Sequence, residues 1–135
     1  MPTNVKNYLG LSIIGLAIGL VSAVFGFDDA AAKIPSPSGG TIIIVIDIVM
    51  FAISIGLITA VVWGHQNWAR WVQAVFYVLG LASLAMMAVN PAAAAQMSSF
   101  QLGVAVVNTI LQGIALFFIF TGDAKAWFKK ADARA

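Results

Sequence analysis

The sequence predicts an all-α protein of the lipid bilayer, a four-helix transmembrane bundle threaded up-down-up-down with both termini in the cytoplasm. Three observations lead there. Of the 135 residues, 61% are hydrophobic and 9% charged, where an average soluble domain has roughly 45–50% and 25%. A chain this short leaves much of its surface exposed, so water is the wrong solvent for that composition. The apolar residues fall into four runs long enough to cross a membrane, and the basic residues gather at one set of run ends. None of the runs alternates with period two, which argues against a β-barrel.

The spans are expected at 9–27, 41–63, 71–89 and 100–121, with 122–135 as a basic tail of the same single domain. At 1.5 Å per residue they cover about 28–35 Å, against a hydrocarbon core of ~30 Å. The first run follows Lys6 as the apolar region of a signal peptide would. It is longer than the usual 7–15 residues of such a region, so a retained span is expected. Pro35-Ser36-Pro37-Ser38-Gly39-Gly40 breaks the chain before the second span. Gly64-His65-Gln66-Asn67 reverses it before the third, with Asn67 as the expected cap. Asn90-Pro91 stops the third span, and the Ala-rich stretch beyond it is expected to form a short surface helix.

Orientation follows from charge. Lys6, Arg70, Lys125, Lys129, Lys130 and Arg134 fall on one side and Lys33 alone on the other, which assigns the first side to the cytoplasm. Trp63, Trp68, Trp71 and Trp127 lie at that same boundary, where the amphipathic indole is favoured. Together with Arg70, Lys129 and Lys130 they are the expected membrane-interface anchors. In the tail, Ala124, Trp127, Phe128 and Ala131 form an apolar edge suited to the membrane surface, with the basic residues on anionic headgroups.

One formally charged side chain, Asp47, falls inside the four expected spans. An aspartate in the middle of a bilayer costs roughly 2.5–3.5 kcal/mol, so such a residue is a functional candidate whenever a partner can be named. Counted from the outer boundary, Ser22, Asp47, Ser83 and Asn108 all fall about 8–12 Å deep, one from each span. A second polar layer, Ser54, Tyr77 and Gln112, recurs at about 18–20 Å. Ser54 shares a helix face with Asp47, and Gln112 with Asn108. Two physical readings fit. In one, Asp47 is protonated by desolvation and hydrogen-bonds Asn108 or a serine, fixing which helix faces meet. In the other, the layers line a small hydrated cavity and Asp47 takes up and releases a proton or cation. The inner third offers only Ser12, Thr59 and Gln73, thin provision for a channel. Gly15 and Gly19 form a GxxxG on the first span, which lets another helix approach closely. Packing within the bundle, a homodimer seam or a docking face would each use it.

Other chemistries lack their residues. There is no cysteine and one histidine, His65, expected to be solvated in the inner loop, so neither a metal site nor thiolate catalysis is expected. No phosphate loop, Ser-His-acid set or carboxylate pair occurs, so no enzyme, cofactor or catalytic residue is expected. The net charge is only +2, and its basic residues suit headgroups better than nucleic acid.

Asn67-Trp68-Ala69-Arg70-Trp71, the run 116–120 and Ala126-Trp127-Phe128 resemble a pattern in a loose group of small bacterial four-helix membrane proteins. In that group an NWAR turn introduces the third span and AWF follows the fourth. The resemblance covers about the second half of the chain and implies a bacterial inner-membrane protein, with no activity attached. In the motif, Trp68, Trp71 and Trp127 would sit at headgroup level around Arg70 bound to lipid phosphate. The leading expectation is therefore a small non-enzymatic membrane protein. Its partners would be membrane lipids and either a second copy or a larger membrane complex. The alternatives are a small proton- or cation-coupled transporter or channel centred on Asp47, and a lipid- or pigment-binding protein.

Overall fold

The computed structural model describes residues 1–95 and 97–132, the side chains of 93, 94 and 130–132 excepted. The described residues form helices and no strand: α1 Thr3–Ala32, α2 Gly39–Val62, α3 Asn67–Val89, α4 Pro91–Ala94, α5 Ser99–Phe120 and α6 Ala124–Asp132. Among them α1, α2, α3 and α5 are long and apolar enough to cross a membrane, at 30, 24, 23 and 22 residues. By helical rise they measure about 33–45 Å, more than a hydrocarbon core. A multi-pass membrane protein follows from these four helices.

The helix boundaries differ from the sequence expectation for local reasons. α1 starts at Thr3, ahead of the apolar run, because its first-turn amides find an acceptor far along the chain: Thr3 N donates to Asp123 Oδ2 at 2.7 Å and Asn4 N to Asp123 Oδ1 at 3.1 Å. A carboxylate at a helix N-terminus satisfies orphan donors and complements the helix dipole. Asn67 is the first residue of α3 rather than its cap; the cap position is Gln66, with no side-chain capping bond. α5 is capped by Ser98, whose hydroxyl accepts from Gln101 N while the Gln101 side chain accepts from Ser98 N. The expected surface helix is the single turn α4.

Around the bundle, α1 packs most closely on α5 and next on α2, and α3 completes the ring against α5 and α2. The core is gathered at one end. Val5 and Tyr8 of α1, Val61 of α2, Ile119 of α5 and Phe128 of α6 are all 2% exposed or less. That end holds the starts of α1 and α3 and the ends of α2 and α5. α6 closes it. Its Ala124 and Phe128 are buried in the bundle, which corrects the expectation that these two lie on the membrane surface; the Ala131 side chain lies outside the described residues.

Candidate functional site: a polar interior shared by the four long helices

The site begins with the glycines of α1. A Cβ on Gly15 would stand 2.9 Å from Asn108 Oδ1 and 3.6 Å from Gln112 Nε2, and one on Gly26 would stand 2.7 Å from Gln101 Nε2. The amides of α5 occupy the space that α1 leaves open. Gly19 faces another way, toward the Phe51 ring of α2 at 3.8 Å. Gly15 and Gly19 thus serve two neighbours inside the bundle.

Two cavities result. One, of about 420 Å³, is lined by Ser22 and Lys33, by Asp47 of α2, and by Gln101 and Asn108 of α5. The other, of about 300 Å³, is lined by Ser12 of α1, Ser54 of α2, Gln73 and Tyr77 of α3, and Asn108, Thr109 and Gln112 of α5. Asn108 lines both, and its buried Oδ1 has no hydrogen-bond partner among the described residues. Such an atom normally finds a partner in protein or water.

Beyond the smaller cavity stands a polar stopper. The Tyr8 hydroxyl lies 2.8 Å from Gln73 Oε1 and 2.6 Å from Gln73 Nε2, with Tyr8 only 1% exposed. Below it the apolar core begins. Hydroxyls elsewhere in the bundle satisfy themselves locally: Ser54 Oγ donates to Met50 O at 2.8 Å, and Thr109 Oγ1 to Ala105 O at 2.8 Å. Among the described residues none donates a hydrogen bond to Asp47. Neither Asn108 nor a serine supplies the bond expected of it.

Five of the six residues expected around Asp47 line these cavities: Asp47 itself, Asn108, Ser22, Ser54 and Gln112. Ser83 does not. It is exposed on the outer face of α3, and its hydroxyl donates to Leu79 O at 3.0 Å. Equal depth on a helix does not ensure equal direction, and Ser83 turns away from the interior. Gln101 and Thr109 were missed as lining residues. Gln101 is one heptad before Asn108, so the stripe 101–108–112 was available to the helical period. Tyr8 was missed because it precedes the first expected span.

The interface anchors divide. Trp63, Trp68 and Trp71 are 63%, 57% and 59% exposed, outward at the α6 end. Arg70 turns inward instead. Its guanidinium lies 4.6 Å from the Phe128 ring centroid and 5.1 Å from that of Phe120, and Nη1 donates to Ile119 O at 3.4 Å. A planar, weakly hydrated guanidinium stacks well on aromatic faces, so Arg70 fastens α6 to α3 and α5 rather than standing among lipid phosphates. Trp127 is half-buried, and its ring meets His65 edge-on at 4.4 Å, which gives that histidine a partner. His65 itself has φ 51°, a left-handed turn position in which His is tolerated better than most residues. Lys129 is exposed; the Lys130 side chain and all of Arg134 lie outside the described residues.

The architecture is therefore a bundle of four membrane-length helices around a polar interior, closed at one end. No family model matches this chain, and neither a curated protein nor a solved structure matches it.

Proposed function

We propose that this chain is a non-enzymatic membrane protein that binds a proton or small cation at Asp47 and passes it along the polar interior of its bundle. One observation carries the reading: two cavities with polar side chains in their walls meet at Asn108 between helices that are otherwise apolar. Magnitudes favour this over polar residues acting only as packing contacts. An interhelical hydrogen bond averages about 0.6 kcal/mol, and Asp47 draws none from the described residues, while a half-buried carboxylate in the outer part of the bilayer, below the mid-bilayer cost of roughly 2.5–3.5 kcal/mol, is still expensive without a partner. A carboxylate in that position is explained by water and an ion. The larger cavity, at about 420 Å³, has room for several waters.

The α6 end carries most of the basic residues and the exposed tryptophans, which favours both termini in the cytoplasm, and the resemblance of the Asn67–Trp71 and Ala126–Phe128 motifs favours a bacterial inner membrane. In that orientation the larger cavity lies toward the outside, and the Tyr8–Gln73 pair is the gate on the cytoplasmic side, which opens for an ion to pass. The accessory-protein reading stays as the alternative, with Gly15 and Gly19 packing against neighbours within the bundle.

The test is ion flux in proteoliposomes, read with an internal pH dye and with a cation indicator. Native protein is expected to conduct, and Asp47→Asn and Asn108→Leu to lower the flux at least tenfold. Equal flux in all three proteins, or none above empty vesicles, removes the proposal.

A further inference from the structure

Asp47 has a second outlook. Besides the polar cavity, it lines a groove of about 720 Å³ between α1 and α2 that is otherwise apolar. Ala23 and Ala52 hollow the groove, and Val24, Ile48 and Ile55 stand along it at 67%, 62% and 55% exposed. In a bilayer those side chains meet acyl chains. A single carboxylate therefore stands on the boundary between hydrocarbon on one side and a hydrated interior on the other. Lys33 shares the polar cavity but has no place in the groove.

Resting on the reading of Asp47 as the ion-binding group, we propose that the same carboxylate also binds an amphipathic organic cation that arrives sideways from the membrane. The ligand would be an ammonium-type head on an apolar body, with the body in the α1–α2 groove and the head on the Asp47 carboxylate. Charge complementarity selects this class. A small inorganic cation gains nothing from a groove open to hydrocarbon. A neutral lipid tail has no reason to prefer it either, because lipid is as apolar as the groove wall. A cation already dissolved in the bilayer is different: its head is poorly solvated there, and a carboxylate in low dielectric attracts it strongly. The groove runs about 12 Å along α2 from Asp47 to Ile55, length for an alkyl chain to lie beside the helix. The charged head reaches the polar cavity without the apolar body leaving lipid.

Photolabelling of the full chain in nanodiscs tests this without relying on flux. The probe is an alkyltrimethylammonium with a diazirine in its tail, mapped by mass spectrometry. The control is the uncharged alcohol of the same length. The ammonium is expected to label residues 20–27 and 44–55 preferentially, and unlabelled ammonium to compete with it. Asp47→Asn is expected to lower that labelling at least tenfold. Ala52→Phe, a change on a lipid-facing position that leaves the fold in place, is expected to lower it several-fold while leaving flux of small cations intact. The alcohol is expected to label all lipid-facing helices evenly. Ammonium labelling spread as evenly as the alcohol's, or unchanged by Asp47→Asn, overturns the inference. Labelling that falls as protein concentration rises overturns it too, since a second copy then fills the groove. Preferential labelling with no flux would keep this site and remove the transport reading; flux without it would do the reverse.

Discussion

The two ends of the bundle are built by opposite rules. At the α6 end, side chains from α1, α2, α5 and α6 exclude solvent, and even a guanidinium is sandwiched between two rings. Toward the other end the helices hold glycines against amides and leave space with polar side chains in its walls. Close packing gives a protein rigidity and a unique arrangement; unfilled polar volume gives it somewhere to put water and an ion. The difference teaches that a small membrane protein can confine its stability to one end and leave the other free for chemistry.

The division is open to challenge by mutation. Phe128→Ala should have the largest effect, about 3–5 kcal/mol, because it empties a fully buried site and strips a ring from Arg70. Phe100→Ala, at a residue 55% exposed at the opposite end, is the matched control and should shift thermal unfolding in detergent far less. Equal shifts would break the comparison. Gly122→Ala comes next. Gly122 has φ +56°, and a Cβ there would stand 2.5 Å from Asn4 Nδ2, so about 1–3 kcal/mol is expected. Asp123→Ala should cost about 1 kcal/mol through the lost cap on α1, seen as faster amide exchange at residues 3 and 4. Asn108→Leu should sharpen the contrast from the other side. It removes an unpaired buried carbonyl, so stability should move by less than about 1 kcal/mol while flux is lost. Ser83→Ala should be silent in unfolding and in flux, the smallest effect of all.

Much of this was legible in the chain. Four apolar runs, their turn residues and Asp47 as a singular buried acid are visible without coordinates, and most of the polar layer around Asp47 follows from counting turns. What counting turns does not give is rotation about the helix axis. That is why Ser83, at the right depth, points outward, and why Gly15 and Gly19 serve different neighbours. Contacts distant in sequence were also hidden. Nothing near Arg70 or Trp127 announces that the first turns inward on α6 or that the second, within α6, meets His65, because amphipathic residues suit a headgroup layer and a protein cap equally well. The Ser98–Gln101 capping box, by contrast, was written in the sequence as Ser-x-x-Gln.

The carboxylate that finishes the start of α1 is separated from its amides by 120 and 119 residues. On a ribosome adding 5–20 residues per second, Asp123 emerges roughly 6–24 s after the backbone it binds. During that interval the leading turn of the first helix has no acceptor from this carboxylate, and the seal at the α6 end lacks it. Assembly thus has a clasp that closes last, and until it does the nascent bundle stays open for its helices to rearrange in the membrane.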